Sequence, residues 1–150
     1  MENTIVELKF SLDTFYFLVS GILVMWMAAG FAMLEAGLVR SKNTTEILTK
    51  NVALYSIACT MFLLVGYNIM YVDNAEGGII PSIGALIGTQ AADADHSLES
   101  DFFFQVVFVA TAMSIVSGAV AERMKLFAFL AFAVVLTGFI YPMEGYWTWG

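Results

Sequence analysis

The amino-acid sequence predicts an all-α polytopic membrane protein with four transmembrane helices. Of the 150 residues, 60% are hydrophobic and only 13% are charged, which is too little charge to cover the surface of a soluble domain of this length. The charged residues are also bunched, and they leave four uncharged stretches, at 14–34, 51–72, 102–121 and 126–143. Each stretch reaches roughly the ~20 residues that a helix needs to cross the hydrocarbon core.

The elements follow from these stretches in chain order. Residues 1–11 are predicted to form a short external tail, and the helices are placed at about 12–38, 47–72, 102–122 and 126–146. The first connector, VRSKNTTE, offers Asn43, Thr44 and Thr45 as N-caps for the second helix. Lys50 falls near the start of that helix, from which a lysine side chain can extend to the membrane surface. The connector ERMK makes a very short turn into the fourth helix.

Residues 73–101 form the most irregular part of the chain. Their centre, IIPSIGALIG (79–88), is too short to cross a bilayer and too apolar to lie free in water. Two placements therefore stay open for this segment. It lies on the outer interface of the membrane, or it folds back onto the helices.

The basic residues predict the orientation of the chain in the membrane. All but one of the six lie in two short connectors, as Arg40, Lys42 and Lys50 after the first helix and Arg123 and Lys125 after the third. Because basic residues are retained on the cytoplasmic side, we expect both short connectors inside and the long acidic connector and both chain ends outside. Lys9 is the exception, and it lies among acids of the first segment.

Glu35 interrupts the apolar sequence near the cytoplasmic end of the first helix. It shares a helical face with Ala28, Ala32 and Ala36, and such small residues let another helix come close. An acid on that face points toward protein rather than lipid. It can be a proton or cation ligand, or a structural acid satisfied by backbone or by a neighbouring helix, and the second interpretation is the more common one for such residues.

The third helix carries two faces of different character. The first is a stripe of small residues suited to close packing, and the second is a bulkier stripe at helical spacing. Their members are Ala110, Ser114, Ser117 and Ala121 for the first stripe, and Phe104, Phe108, Thr111 and Ile115 for the second. Phe104 and Phe108 are candidates for stacked aromatic gates in a pore, although an aromatic stripe in a membrane helix is more often lipid-facing or core bulk.

Aromatic residues, Phe17 among them, crowd the outer ends of the predicted helices, as in an interfacial belt. Trp147 and Trp149 lie beside Glu144 at the end of the fourth helix. The face of a tryptophan ring can hold a cation. An interfacial anchor is the simpler interpretation of both residues from the sequence alone.

The long connector carries several acids and no basic residue. The acids are Asp73, Glu76, Asp93, Asp95, Glu99 and Asp101. Such a field raises the local concentration of cations at a pore mouth, although outer loops are in any case poor in lysine and arginine. His96 lies among these acids and is expected to be solvated. No metal-ligand spacing, nucleophilic triad or phosphate loop argues for an enzyme or a cofactor, and the net charge of −7 gives no reason to expect nucleic acid as a partner.

Three segments of the chain resemble the ammonium transporter family, which includes the methylammonium permeases and Rhesus proteins. GFAMLEAGLVRSKN (30–43) is similar to the end of the family's first helix, and YPMEGYWTWG (141–150) to the end of its fourth. FQVVFVATAMSIVSGAVAER (104–123) resembles its third helix with the terminal G-A-x-A-E-R turn. The resemblance covers essentially the whole chain in order.

This resemblance implies an eleven-helix fold in which two inverted five-helix halves enclose a pore and three subunits associate. Phe104 and Phe108 match the stacked phenylalanines that close the outer pore, and Trp149 matches the tryptophan of the external ammonium site. Tyr146 departs from the pattern, because many relatives have histidine there. The family's pore histidine pair and buried aspartate lie beyond residue 150, so the chain is expected to be the N-terminal part of the membrane domain.

The expected function is passage of ammonium or ammonia through a hydrophobic pore in the cell membrane, with the N-terminus outside. The expected partners are ammonium, the lipid bilayer, two further copies of the full-length chain and a cytoplasmic regulatory protein. Two alternatives remain open from the sequence. One is an ammonium sensor with the same membrane domain fused to a signalling domain, and the other is a truncated product that conducts nothing.

Overall fold

The structure is a computed structural model, and it describes residues 2–71, 78–81, 83–91 and 94–149. Its α-helices are α1 (Glu2–Leu38), α2 (Thr44–Met61), α3 (Tyr67–Tyr71), α4 (Leu98–Ala119), α5 (Leu126–Val135) and α6 (Tyr141–Trp149). A 3-10 turn (Ser41–Asn43) precedes α2, and π-helical turns join α2 to α3 (Phe62–Gly66) and α5 to α6 (Leu136–Ile140). Every regular element in this described part is helical, so the predicted all-α class is confirmed.

The helices and turns combine into four rods that are long and apolar enough to cross a membrane. They are span one (Thr4–Leu38), span two (Ser41–Tyr71), span three (Leu98–Ala119) and span four (Leu126–Trp149). Val72, which was expected to end the second helix, lies outside the described residues. So do three acids of the long connector, Asp73, Glu76 and Asp93.

Two helix ends differ from the sequence-based bounds. Helix α1 begins at Glu2 rather than near residue 12, because the early charges end the apolar run without breaking a helix. At about 1.5 Å per residue its 37 residues reach about 55 Å, well beyond the ~30 Å hydrocarbon core, so its first turns project past the membrane. At the other end of the chain, α6 continues to Trp149 rather than ending near residue 146.

Helix α1 packs on α4 along one narrow stripe. The stripe contains Thr14, Gly21, Ala28 and Glu35, which are spaced seven residues apart as in a helix seam. The Thr14 hydroxyl accepts a hydrogen bond from the backbone N–H of Ser97 at 3.0 Å, and Glu35 contacts span three at the opposite end. The remaining surface of α1 presents large apolar side chains, including Phe15, Tyr16, Trp26 and Met33, and is suited to lipid.

The core lies between spans two, three and four. Its largest buried side chains include Leu54 and Phe62 from span two, Met113 from span three and Phe129 from span four. Several serine and threonine hydroxyl groups within the spans bond to their own helix, as where Thr111 donates to the carbonyl of Val107 at 2.8 Å. Such back-bonding satisfies a polar group where no water is present.

The two π-helical turns face each other where spans two and four meet. Gly66 lies in the first turn, and a Cβ atom there would come 2.9 Å from Pro142 and 3.2 Å from the carbonyl of Thr137. Gly138 lies in the second turn, where a Cβ atom would come 2.8 Å from the side chain of Met61. The glycines therefore allow the close crossing. Pro142 lacks a backbone donor one turn later, which gives a physical reason for the widened turn before it.

Candidate functional site

The half of span three nearer the long connector carries the predicted aromatic pair. The rings of Phe104 and Phe108 have centroids 5.1 Å apart and meet edge to face at 74°. Both side chains are half-buried. Residues four apart on a helix share a face, so the spacing accounts for this contact, and the ring quadrupoles account for the edge-on geometry.

A third ring, from α1, joins this pair. Phe17 lies 5.3 Å from Phe104, centroid to centroid, at an interplanar angle of 76°. On its other side, Phe17 meets the His96 ring at 4.5 Å and 37°. His96 was expected to be solvated, but the structure places it half-buried against Phe17. From the sequence, Phe17 was expected only as a member of the interfacial belt. The seam positions Thr14, Phe17 and Gly21 on one face of α1 were the available signal.

The structure keeps Trp149 apart from the aromatic pair. Its side chain is 61% exposed, and among the described residues no ring contact joins it to Phe104 or Phe108. Its neighbours in the sequence, Tyr146 and Trp147, bond to the backbone of the long connector. Trp147 donates from Nε1 to the carbonyl of Ile79 at 2.8 Å, and the Tyr146 hydroxyl donates to the carbonyl of Gly78.

Those bonds bear on the placement of the segment 79–88, which the sequence left open between the membrane interface and the helices. Its backbone is attached to the helices, since Leu86 also donates to the carbonyl of Leu64 at 2.9 Å. Three of its isoleucines point away from the protein, with Ile79 and Ile80 about four-fifths exposed and Ile83 72% exposed, while Ile87 packs against the core. The segment therefore combines both predicted placements, with its backbone and Ile87 on the helices and its other isoleucines exposed for the membrane interface.

Two described acids of the long connector, Asp95 and Asp101, are less available than the sequence suggested. Asp101 is buried, and the Tyr67 hydroxyl donates to its Oδ2 at 2.7 Å. Asp95 forms an exposed ion pair with Lys9 at 2.8 Å, and the bond from the Lys9 ammonium lowers the pKa of the Asp95 carboxyl. Within the described ranges, no group of three histidines, cysteines or acids is placed to hold a metal ion.

Glu35 belongs to a buried polar cluster at the opposite end of the helices. Its Oε2 accepts a hydrogen bond from the Ser117 hydroxyl at 2.8 Å and lies 3.3 Å from the Lys50 ammonium. Lys50 also donates to the carbonyl of Ser117 at 3.2 Å and lies 4.8 Å from the centre of the Phe129 ring. All four spans therefore meet at this cluster.

The cluster corrects one expectation and supports another. Lys50 does not extend to the membrane surface, because Glu35 and Phe129 hold it inside, where its side chain is only 7% exposed. Glu35 has the partners on neighbouring helices that were expected of a structural acid, Ser117 and Lys50. Only one of its oxygens is engaged, since Oε1 is buried with no hydrogen-bond partner in the described part of the chain.

The two short connectors are tied together beside this cluster. The carboxylate of Glu122 accepts bonds from the Arg40 backbone at 3.0 Å, the Arg40 side chain at 3.1 Å and the Asn43 amide at 2.6 Å. The Arg40 backbone donor and the Asn43 amide are the main reasons that the pKa of Glu122 lies below its ordinary value. Asn43 occupies the N-cap position of α2, but its side chain bonds to Glu122 instead of capping the helix.

Glu122 itself has a φ angle of 60°, a left-handed conformation that few residues other than glycine adopt. A conformation of this kind persists only where the surrounding contacts hold it, and the three donors from the first connector supply such contacts. The contact also explains the two sequence motifs 30–43 and 104–123 in physical terms. Their polar ends form one network.

Comparison with known proteins gives a consistent result. A model of the Ammonium Transporter Family matches residues 15–150. Ammonium transporter Amt2 of Archaeoglobus fulgidus is 39% identical over 138 residues, which cover 92% of this chain and 29% of that protein. Ammonium transporter Amt2 of Haloferax mediterranei is 42% identical over 130 residues, covering 85% of this chain and 28% of that protein. The chain thus spans about a third or less of the length of the relatives that it matches.

Proposed function

We propose, since this chain belongs to the Ammonium Transporter Family, that it forms part of a path that moves ammonium or ammonia across the cell membrane. The observation that carries the proposal is the half-buried pair of Phe104 and Phe108 near the loop end of a membrane span. The names of the matched relatives, which are ammonium transporters, support the same substrate. The reaction is transport, with no covalent chemistry.

Each candidate residue has a role in this proposal. Phe104 and Phe108 close the outer end of the path with apolar rings, which exclude hydrated ions. Trp149 offers its exposed ring to ammonium before the substrate reaches them. A cation over a tryptophan face gains about 0.5–2 kcal/mol, depending on how far it is desolvated. The separation of Trp149 from the pair agrees with a recruiting role rather than a gating role.

The orientation places the two short connectors in the cytoplasm and the N-terminus outside. The basic residues of both connectors support this, and the bonds of Arg40 and Asn43 to Glu122 keep the connectors at one end. Cysteine labelling in intact cells tests it, after the native Cys59 is replaced by alanine. We expect an impermeant thiol reagent to label Thr89→Cys and not Ser41→Cys, both of which are exposed positions. The reverse pattern would contradict the orientation.

The chain is proposed as the N-terminal part of an eleven-helix membrane domain that associates as a trimer and binds a cytoplasmic regulatory protein. The small share of each relative that it covers supports the first part. The exposed apolar surface of α1 supports association, because such a surface suits either lipid or a neighbouring subunit. Disulfide cross-linking between cysteines at Leu23 and at Met33, both exposed on α1, tests the trimer, which would appear as a three-chain species.

Transport is tested with the intact protein in liposomes that contain a pH-sensitive dye. An external ammonium pulse should raise the internal pH faster than in empty liposomes, because ammonia that crosses takes up a proton inside. Phe108→Trp should reduce the rate to that of empty liposomes by filling the gap between the rings. The matched control is Phe127→Trp, since Phe127 is 84% exposed on span four and should tolerate the larger ring. Equal rates with and without the protein would overturn the proposal.

The recruiting role has its own test at low ammonium concentration. Trp149→Leu should reduce uptake about fivefold, as expected for the loss of about 1 kcal/mol of cation attraction. Trp26→Leu is the control, because Trp26 is 72% exposed on the first span and has no place in this role. If both variants take up ammonium at the unaltered rate, Trp149 is an interfacial anchor.

A further inference from the structure

Within the described part of the chain, Phe104 of the proposed gate is enclosed by two rings. Phe104 has a ring neighbour on each side, Phe17 at 5.3 Å and Phe108 at 5.1 Å, both edge to face. Phe108 has one ring neighbour among the described residues, and that neighbour is Phe104. An aromatic side chain enclosed by two rings has fewer rotamers open to it than one with a single neighbour.

The ring of Phe17 is itself fixed, because α1 is attached to span three on both sides of it. About one turn earlier, Thr14 accepts the backbone N–H of Ser97 at 3.0 Å. About one turn later, Gly21 brings the helices together so closely that a Cβ atom there would lie 2.7 Å from the Phe103 ring and 3.4 Å from the Cα of Phe104. The position of Phe17 relative to Phe104 is therefore set by backbone contacts.

The outer face of Phe17 is covered as well. The His96 ring lies 4.5 Å from it, and His96 directly precedes Ser97, whose N–H bonds to Thr14. The same short segment of the long connector therefore fixes α1 and covers Phe17. Four rings follow one another from the connector into the span, in the order His96, Phe17, Phe104 and Phe108.

We infer that Phe17 is a positioning residue for the proposed gate. It holds the ring of Phe104 in one orientation. The inference rests on the proposed function, and it goes beyond it by assigning a part of the gate to the first helix.

Fluorine NMR of the intact protein tests the positioning directly. A 3-fluorophenylalanine is introduced at position 104. In Phe17→Leu, the signal from position 104 should shift and narrow toward that of a freely flipping ring. Phe17→Tyr keeps the ring and should keep the signal from position 104 nearly unchanged.

The matched control is Phe31→Leu. Phe31 is a half-buried phenylalanine of the same helix and makes no ring contact with another described residue. This variant should leave the signal from position 104 in place. The inference is overturned if Phe17→Leu leaves that signal unchanged, or if Phe31→Leu alters it equally. Either result would mean that Phe17 fills space without positioning the ring of Phe104.

Selectivity provides the second measurement. Phe17→Leu should raise the ratio of methylammonium flux to ammonium flux at least twofold, because a looser Phe104 admits the bulkier ion. Phe31→Leu and Phe17→Tyr should leave the ratio unchanged, and an unchanged ratio in Phe17→Leu counts against the inference. If the unaltered protein moves no ammonium, the proposed function fails, while the fluorine signals still decide whether Phe17 positions Phe104.

Discussion

Two ion pairs with similar geometry lie in contrasting regions of this molecule. Lys50 and Glu35 approach to 3.3 Å in the cluster where the four spans meet, and their side chains are 7% and 3% exposed. Lys9 and Asp95 approach to 2.8 Å at the other end, where α1 meets the long connector, and their side chains are 62% and 70% exposed. The exposed pair is the shorter of the two.

The difference between these pairs teaches that burial, rather than distance, decides what an ion pair contributes to the free energy of unfolding. Water and salt screen the exposed pair, and each partner can be solvated alone. The buried pair has no such alternative, because a single charge left inside the helices has neither water nor a counter-ion. Removing one member should therefore have a large effect in the buried pair and almost none in the exposed pair.

The largest effect is expected from Lys50→Met, which leaves Glu35 as an unpaired acid among the four spans. We expect the free energy of unfolding to fall by about 3–5 kcal/mol, as for other broken buried pairs. The double variant Glu35→Gln, Lys50→Met should recover most of this loss, because no charge stays buried. Unfolding in mixed detergent micelles measures both. A double variant no more stable than Lys50→Met would show that the charge pairing is not the cause.

A smaller loss is expected from Ser117→Ala, which removes the hydroxyl that donates to Glu35. We expect about 1 kcal/mol, since a hydrogen bond between membrane helices contributes little more than that. Ser114→Ala is the matched control, because Ser114 is equally buried one turn earlier but bonds to the Ala110 carbonyl of its own helix. The same unfolding measurement should show the smaller loss in Ser114→Ala, and equal losses would remove the special role of Ser117.

Glu122 lies between the buried pair and the exposed pair in character, because it is charged and well bonded and yet at the surface. Its pKa is lowered in the folded chain by donors from Arg40 and Asn43, so its contribution is complete above the ordinary glutamate pKa. The contribution disappears as the pH falls through the lowered folded value. We expect Glu122→Gln to melt at a lower temperature than the unaltered protein at pH 7, and the gap should close in acid. A gap that stays constant between pH 7 and pH 3 would contradict this assignment.

The smallest effect is expected from Lys9→Ala, which breaks the exposed pair with Asp95. Both partners keep their water, so the unfolding transition should not move measurably in buffer of physiological salt. The measurement is the same micelle titration that is used for Lys50→Met. If Lys9→Ala destabilised the protein as much as Lys50→Met, burial would not be the property that separates the two pairs.

The helices were predictable because a membrane span is a local property. A run of about 20 apolar residues has to be helical in lipid, where each backbone group needs a partner within its own segment. The contact of Phe104 with Phe108 follows equally from their spacing on one helix. The early start of α1 was missed because charges such as Glu7 and Lys9 mark the end of the lipid-facing stretch. A helix can continue beyond that stretch into water.

The partners across helices were harder to predict. Lys50 looked like a surface lysine, since its position near a helix end permits that as readily as burial. Its true environment depends on Glu35, Ser117 and Phe129, which come from three other spans. Similarly, Phe17 looked like one aromatic of a belt until the seam of α1 placed it against Phe104.

The sequence by itself determined the number of spans, the charged connectors and the stripe along which α1 can pack, because these depend on the order of apolar and charged residues. Only the tertiary structure decided that Glu35 faces Lys50, that Glu122 receives Arg40 and Asn43, and that Phe17 supports Phe104. The physical reason is that each of these contacts joins residues far apart in the chain. Their proximity depends on how neighbouring helices cross, and glycines such as Gly21 and Gly66 determine how closely they do so.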